Sequence, residues 1–339
     1  MVLITQTPLR VSLFGGGTDY PEYYERRPGA VIGMAIDKYI YIAALPLTGH
    51  QGYNFRVAYS SVEFTDDIAS IQHPVVREVL RLFDIKDKLD ISIMSDLPAT
   101  GSGLGSSSAF TVGFLNIAYS LVGRACTKID LARKAIHVER VLLKENVGVQ
   151  DQLHATFGGM NRFDFRGKQI SITPMQVPGE TMHVLSQSMV LVHTGIARRA
   201  TAIVEEQVKA TKTTNIDKDL GTLFALVDDC ASLLEGAPNQ ILSSLGKMLS
   251  ESWYIKRSLT KAISNTAIDD LFDAIIKAGA YGAKLCGAGG GGYFLALIDP
   301  DKIADLRAAV DPLVVIPIGI DTEGSTLVYP SRLKVGWHP

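Results

Sequence analysis

A stretch rich in glycine and serine, GSGLGSSSAF at residues 101–110, is the first place where this sequence could do chemistry. It follows an apolar run that alternates like a strand and leads into a run typical of a buried helix. Backbone N–H groups at such a turn form a concave anion site, and the dipole of the following helix strengthens it. The stretch lacks the lysine of the common phosphate loop, and its spacing G-x-G-x-G does not fit the dinucleotide fingerprint. It predicts phosphate binding through backbone donors, with a flexible loop and a serine helix cap as the alternative.

Two further glycine stretches have polar or strand neighbours. In LFGGGTDY (13–20), Asp19 on a glycine turn is able to accept hydrogen bonds from a polyol, and a hairpin turn with a local aspartate hydrogen bond is the alternative. CGAGGGGYF (286–294) has four consecutive glycines between two apolar runs. Such a run is costly in chain entropy, which favours close approach of the backbone to a ligand over a simple strand bulge.

Glu139 and Asp151 form the acidic pair of interest. Asp151 lies in the largely apolar stretch VGVQDQLHATFGG, where an unpaired carboxylate is costly. Two carboxylates and a serine hydroxyl are hard oxygen ligands that suit Mg²⁺. A surface position for Glu139 on its helix is the alternative.

The elements that must position these residues alternate irregularly along the chain. Strands are predicted at 8–14, 30–45 and 88–95, and helices at 73–83, 106–122 and 127–145. Two short strands follow. Beyond a boundary near residue 185 come a strand, four helical runs between 197 and 278, a strand–glycine loop–strand unit, a helix at 300–310 and two strand runs. Because the order is not a regular βαβ repeat, an α+β fold of two domains, 1–185 and 186–339, is predicted.

Composition narrows the possible classes of protein. The chain has 339 residues, 47% of them apolar, and a net charge of −2, so nothing indicates nucleic acid or an anionic membrane as a partner. No secretory signal or membrane-spanning run is recognised. The three cysteines are widely spaced, which matches no zinc motif and fits reduced thiols in the cytoplasm, the expected location.

Three motifs together resemble the GHMP kinases. They are PLRVSLFGGGTDY, LPATGSGLGSSSAF and KLCGAGGGGYF, in the order found in that family and across nearly the whole chain. The triple-glycine turn and TGIARRAT (194–201) look most like the heptose 7-phosphate kinases, a branch close to the L-fucokinases. The resemblance implies an N-terminal α+β domain with a left-handed βαβ crossover, a C-terminal ferredoxin-like domain, and an active site in the cleft between them.

The resemblance also implies roles for individual residues. Asp151 would lie near the acceptor hydroxyl, Arg10 near the transferred phosphoryl group, and Ser107 with Glu139 would hold Mg²⁺. The ATP phosphate loop would comprise Gly101, Ser102, Gly103, Leu104, Gly105, Ser106, Ser107 and Ser108. The acceptor would contact Asp19, Gly16, Gly17, Gly287, Ala288, Gly289 and Gly290.

One departure from the galactokinases bears on the acceptor. Those enzymes carry Glu-His where this chain has Gly16 and Gly17, so a bulkier or phosphorylated sugar is expected here. Arg198 is a candidate for binding the acceptor's phosphate, with a surface ion pair as the alternative.

These features predict an ATP- and Mg²⁺-dependent sugar 1-kinase, working as a monomer or homodimer. The predicted acceptor is D-glycero-D-manno-heptose 7-phosphate and the product its 1,7-bisphosphate, on a route to nucleotide-activated heptose for surface polysaccharide. An L-fucokinase-like or other sugar 1-kinase is the nearest alternative. A catalytically silent homologue that senses a ligand is a remoter one.

Overall fold

The computed structural model describes residues 1–98, 101–196, 211, 216–236 and 241–328. The strands are β1 (Leu3–Phe14), β2 (Gly29–Pro46), β3 (Phe55–Ala58), β4 (Val62–Thr65), β5 (Leu89–Ser95), β6 (Met160–Arg166), β7 (Gln169–Pro174), β8 (Met189–His193), β9 (Gly282–Leu285), β10 (Tyr293–Leu297), β11 (Val315–Pro317) and β12 (Thr326–Leu327). The helices are α1 (Pro21–Tyr24), α2 (Pro74–Leu82), α3 (Ser106–Leu121), α4 (Lys128–His137), α5 (Gln150–Phe157), α6 (Gly179–Ser188), α7 (Asp217–Glu235), α8 (Ile241–Ser258), α9 (Thr266–Lys277) and α10 (Ile303–Ala309).

A large mixed sheet has the strand order β12-β1-β2-β5-β3-β4. The long strand β2 pairs with β6 along its first part and with β5 along its second part, and β6 carries β7. Only β3 and β5 run parallel among the described pairs. The long strand thereby joins two branches of the sheet, and β1 beside it carries Arg10 towards the cleft.

A smaller antiparallel sheet has the order β11-β8-β10-β9. Its strands β9 and β10 are buried along their whole length, and α8 packs on β9. The glycine stretch at 286–292 connects β9 to β10, so the sheet holds both ends of that loop firmly. The chain then returns to the large sheet, where β12 pairs with β1.

The start of α3 follows directly from its sequence. Gly105 caps the helix with φ +75°, a left-handed conformation that glycine adopts without steric cost. The helix beyond it is buried on nearly every side, which matches its apolar composition. The first residues of this buried helix, Ser106, Ser107 and Ser108, line a cleft in the structure.

The strands and helices predicted for the first half are confirmed, except that one helix differs in form and that several elements were not predicted, among them the helices α1, α5 and α6. The predicted helix at 127–145 is α4 followed by a π-helical turn at Val138–Leu142. Strands β3 and β4 were not predicted, because they are short and β4 exposes apolar side chains to solvent.

In the second half, the strand–glycine loop–strand unit, the helix near 300–310 and three of the four helical runs are confirmed. The fourth run lies outside the described residues. None of the helices in the described ranges combines the length and hydropathy needed to cross a bilayer.

Candidate active site

A cleft of about 240 Å³ brings together side chains from distant parts of the chain. We call one side the N-terminal wall: the end of β1, the turn at 15–20, the loop at 101–105 with the start of α3, and the start of α5. The other side, the C-terminal wall, consists of α8, β9 and the loop at 286–292. Both walls line the same space.

Arg10 connects three elements of the N-terminal wall. Its Nε and Nη2 donate to the two carboxylate oxygens of Asp151 at 2.8 and 2.7 Å, and its Nη1 donates to the Gly103 carbonyl at 2.6 Å. The Arg10 backbone N–H also donates to the Leu104 carbonyl at 3.0 Å. Burial opposes the charge on Arg10, but attraction and hydrogen bonding from Asp151 outweigh it and raise the Arg10 pKa.

Asp151 is in the first turn of α5, and its side chain is 25% exposed towards the cleft. The bidentate pairing fixes the plane of its carboxylate, as planar guanidinium–carboxylate pairs do. Asp151 therefore presents an oriented acceptor oxygen beside the loop at 101–105.

Asp19 is almost fully buried beneath its turn. Its carboxylate accepts hydrogen bonds from the backbone N–H groups of Gly17 at 3.0 Å and Gln150 at 3.3 Å. Gly148 packs so closely that a Cβ there would lie 2.0 Å from an Asp19 oxygen. Burial, followed by repulsion from Asp151, raises the pKa of Asp19. This carboxylate thus anchors the turn to the start of α5 and also lines the cleft.

Glu139 lies in the π-helical turn and is fully buried. One carboxylate oxygen accepts hydrogen bonds from Ser108 Oγ at 2.8 Å and from Gln152 Nε2 at 2.5 Å. Its other oxygen has no hydrogen-bond partner among the described residues. Burial raises the pKa of Glu139 to about 7, although its hydrogen bonds act in the opposite direction.

The surroundings of Glu139 fit a role in holding Mg²⁺. Within the described residues, no cluster of three or more His, Cys, Asp and Glu side chains could hold a metal by itself. Protein-bound Mg²⁺ commonly takes one or two protein oxygens and completes its shell with substrate phosphates and water. A buried carboxylate with one unpartnered oxygen, beside serine hydroxyls at a helix N-terminus, is a donor set of that kind.

The serine that bonds to Glu139 is Ser108, the neighbour of the serine that the resemblance implies as a Mg²⁺ ligand. Ser108, buried at the start of α3, donates to Glu139, while Ser107 is exposed and lines the same cleft. Ser102 and Ser106 bond each other at 2.9 Å and hold the loop's shape. The left-handed turn at Gly105 sets the rotation of α3, and hence which serine points inward.

The two glycine loops pack backbone to backbone. A Cβ on Gly103 would lie 2.7 Å from the Cys286 carbonyl oxygen, and one on Gly287 would lie 2.4 Å from the Gly103 Cα. A Cβ on Gly292 would lie 2.5 Å from the Ser102 carbonyl oxygen. Several of these glycines are therefore required by contact between the walls, a reason that the sequence did not reveal.

Most of the residues proposed from sequence meet at this cleft. Arg10, Asp19, Asp151, Gly16 and Gly17 line it, with the loop residues Gly101, Ser102, Gly103, Gly105, Ser106, Ser107, Ser108, Gly287 and Ala288.

Four of the residues proposed from the sequence do not line the cleft. Leu104 is fully buried in the core, and Glu139 is buried behind Ser108. Gly289 and Gly290 pack against Ile263, with the Gly290 N–H donating to its carbonyl at 2.8 Å. Arg198 lies outside the described residues.

Among the cleft residues that were not proposed from the sequence, two are basic. Lys284 lies in β9 and Lys256 near the end of α8, and both line the cleft. A lysine inside an otherwise apolar strand was a usable signal for Lys284. The sequence around Lys256 carries no such signal, because lysine is common on the polar face of helices.

Family profiles match both parts of the chain. The profile described as GHMP kinases N terminal domain matches residues 71–159, and the one described as GHMP kinases C terminal matches residues 233–312.

Individual relatives cover most of the chain. It is 30% identical to a D-glycero-alpha-D-manno-heptose 7-phosphate kinase of Campylobacter jejuni over 90% of this chain and 92% of that one. It is 25% identical to a bifunctional fucokinase/GDP-fucose pyrophosphorylase of Arabidopsis thaliana, covering 90% of this chain and 31% of that one. The crystal structure of a D-glycero-D-manno-heptose 1-phosphate kinase of Bacteroides thetaiotaomicron superposes with a TM-score of 0.71 at 21% identity, covering 97% and 99% of the two chains.

Proposed function

The chain belongs to the GHMP kinase family, and from this premise we propose that it phosphorylates the anomeric hydroxyl of D-glycero-D-manno-heptose 7-phosphate. It is a sugar kinase of that family, an ATP-dependent phosphotransferase with an alcohol acceptor. The acceptor, the product (the 1,7-bisphosphate) and the residue roles below are our proposal.

The observation that carries the proposal is the Arg10–Asp151 pair beside the loop at 101–105. Phosphoryl transfer passes through a loose transition state, so positioning and charge neutralisation supply most of the rate enhancement. Asp151, held in one orientation by Arg10, accepts a hydrogen bond from the acceptor hydroxyl and takes its proton as the phosphoryl group arrives. Arg10 stabilises negative charge on the transferring group.

The loop at 101–105 and the N-terminus of α3 bind the phosphates of ATP. Gly101, Gly103 and Gly105 all have positive φ, which turns successive backbone N–H groups towards one side. The helix dipole favours negative charge at the same place. Backbone donors and the dipole thus take the part that a lysine plays in the common phosphate loop.

Glu139 and Ser107 are the residues that we propose to hold Mg²⁺, with Ser108 orienting Glu139 through its hydrogen bond. When bound, the ion neutralises phosphate charge and fixes the terminal phosphate's orientation. Glu139 is poised for this, because ionising it in a buried site is unfavourable without a nearby cation.

The turn at 15–20 forms the sugar side of the proposed site. Gly16 and Gly17 leave space that larger side chains would fill, and Asp19 lines the cleft beneath them. The alternative, an L-fucokinase-like sugar kinase, is supported by the similarity to the plant fucokinase. A silent ligand sensor is disfavoured, because such a protein has no need of an oriented Asp151 together with a buried Glu139.

The proposal is tested by steady-state kinetics of the purified protein with ATP, Mg²⁺ and three acceptors. These are D-glycero-D-manno-heptose 7-phosphate, the unphosphorylated heptose and L-fucose. We expect the highest kcat/KM with the 7-phosphate, and a product whose new phosphorus resonance is coupled to the anomeric proton. A preference for L-fucose would support the alternative, and transfer to none of the three would support the sensor.

A further inference from the structure

Two positively charged side chains on the C-terminal wall have no part in the reaction described above. Lys256 is in the last turns of α8, and Lys284 is in β9. Both line the cleft that Arg10 and Asp151 occupy from the other side.

Lys284 is tied to the acceptor side of the cleft. Its Nζ donates to the carbonyl oxygens of Ser12 at 3.2 Å and Leu13 at 2.5 Å. These residues end β1 and lead directly into the turn at 15–20, which carries Asp19. The Lys284 side chain is almost fully buried there.

Lys256 is bound by hydrogen bonds to the end of β9 and to the loop at 286–292, both on the same wall. Its Nζ donates to the carbonyl oxygens of Leu285, at 3.1 Å, and Gly287. An ammonium group has three N–H donors. Among the described residues, Lys256 and Lys284 each use two, so each keeps one for a ligand.

Neither lysine has a negatively charged partner in the described ranges, where the ion pairs involve other side chains. Burial, followed by repulsion from Lys284, lowers the pKa of Lys256 to about 7. Burial also lowers the pKa of Lys284 to about 8. Charging both amines in one buried site is unfavourable, and a bound anion beside them would remove that cost.

Ser252 adds a neutral donor to the same surface. It lies one turn before Lys256 on α8, is fully buried and lines the cleft. Its hydroxyl has no hydrogen-bond partner among the described residues. A buried hydroxyl left unpaired is costly, and a ligand oxygen would satisfy it.

We propose that Lys256 and Ser252, supported by Lys284, bind the phosphate group that the sugar acceptor carries at the end remote from its reacting hydroxyl. This inference rests on the proposed function, and it assigns the acceptor's phosphate to the C-terminal wall. The terminal phosphate of ATP is the other source of the same chemistry. The acceptor is favoured because Lys284 is fixed to the residues that lead into the sugar turn, while the loop at 101–105 supplies donors for the nucleotide.

The test measures the KM values of Lys256→Met for the heptose 7-phosphate, the unphosphorylated heptose and ATP. Methionine keeps the length and apolar stem of lysine and removes only the charge and donors. We expect the KM for the 7-phosphate to rise about tenfold to a hundredfold, the loss typical of a charged hydrogen bond to phosphate. The KM values for unphosphorylated heptose and ATP should stay within about twofold. Ser252→Ala should raise only the 7-phosphate KM, by about threefold to tenfold.

Lys247→Met is the matched control, because Lys247 is an exposed lysine on the same helix. It should leave all three KM values unchanged. Lys256→Arg should recover part of the affinity for the 7-phosphate. If Lys256→Met proves unfolded by circular dichroism, Lys256→Arg and Ser252→Ala carry the test.

The outcomes separate this inference from the proposed function. If the wild-type protein does not prefer the 7-phosphate to the free heptose, both are wrong. If the wild type prefers the 7-phosphate and Lys256→Met keeps that preference, only the inference is wrong. A rise in the KM for ATP alone would assign the lysines to the nucleotide and overturn the inference.

Discussion

On the N-terminal wall of the cleft, Arg10 and Asp151 satisfy each other through two short hydrogen bonds. On the C-terminal wall, by contrast, Lys256 and Lys284 donate to backbone carbonyls, and Lys284 also lies over the Phe14 ring, but neither has a carboxylate partner among the described residues. Charges paired within the protein keep one geometry whether or not a ligand is present. Basic side chains without a carboxylate partner raise the affinity of the site for an anionic ligand that pairs with them. The N-terminal wall thus holds its catalytic groups in a fixed orientation, and the C-terminal wall is suited to binding an anion. Three substitutions test this contrast.

The largest effect is expected from breaking the pairing on the N-terminal wall. Asp151→Asn should reduce kcat by about 10²-fold or more, because an amide cannot take the proton of the acceptor hydroxyl. It also leaves Arg10 with an unmatched positive charge. ATP binding, measured by calorimetry, should stay close to that of the wild type. A variant with wild-type kcat would mean that Asp151 does not serve the acceptor.

An intermediate effect is expected from forcing the two walls apart. In Gly103→Ala the new Cβ would lie 2.7 Å from the Cys286 carbonyl oxygen, at a residue whose φ is +74°. We expect a loss of stability of about 2–4 kcal/mol, from backbone strain plus the displaced loop, and a raised KM for ATP. Denaturant unfolding and steady-state kinetics measure the two effects.

Gly123→Ala is its matched control. Gly123 has a similar φ of +64° and nothing within 4 Å of the added Cβ. Its free energy of unfolding should therefore fall only by the cost of backbone strain, about 1–2 kcal/mol, and its KM for ATP should equal that of the wild type. Equal losses in the two variants would show that contact between the loops contributes nothing.

The smallest effect concerns Glu139, whose buried carboxyl group has one oxygen with hydrogen-bond partners and one without among the described residues. Its pKa in the folded state, about 7, is above the ordinary value of 4.5, so the folded protein holds this proton more tightly than the unfolded chain. The resulting stabilisation is complete below about pH 4.5 and is lost as the pH rises through about 7. Glu139→Gln lacks this dependence. In EDTA its stability relative to the wild type should rise by about 1–3 kcal/mol between pH 5 and pH 8.

The measurement is denaturant unfolding at several pH values, with the exposed Glu25→Gln as control. The same Glu139→Gln variant should need more Mg²⁺ for half-maximal activity, because it removes the proposed carboxylate ligand. A stability difference that does not change with pH would contradict the burial argument.

Sequence reasoning predicted the elements whose signal is local. The start of α3 follows from Gly105 and the serines after it, and the glycine run at 287–292 between two apolar runs correctly predicted a loop between two strands. The π-helical turn that carries Glu139 was missed, since inserting one residue barely alters the apolar spacing of a helix. Which of three successive serines faces Glu139 depends on helix rotation, which no local pattern encodes.

The part of the site that could not be predicted depends on contacts between residues that are far apart in the sequence. The Arg10–Asp151 contact spans 141 residues, and the packing of Gly103 on Gly287 is visible only once both loops are in place. Lys256 became a candidate only because the structure shows it beside Lys284 without a carboxylate partner in the described ranges. The charged residues in the sequence of a helix do not show which face of that helix lies towards the cleft.

The pairing of β12 with β1 has a consequence for how this protein is made. Thr5 faces Leu327 in that pair, and Thr7 Oγ1 lies 2.8 Å from Ser325 Oγ, so the outer edge of β1 is covered by residues more than 300 positions later. During synthesis on the ribosome, the nascent N-terminal strand has an uncovered edge until nearly the whole described chain has emerged. Uncovered strand edges invite pairing with other chains. Before β12 arrives, the growing polypeptide therefore has a strand edge that chaperones would have to shield from other chains.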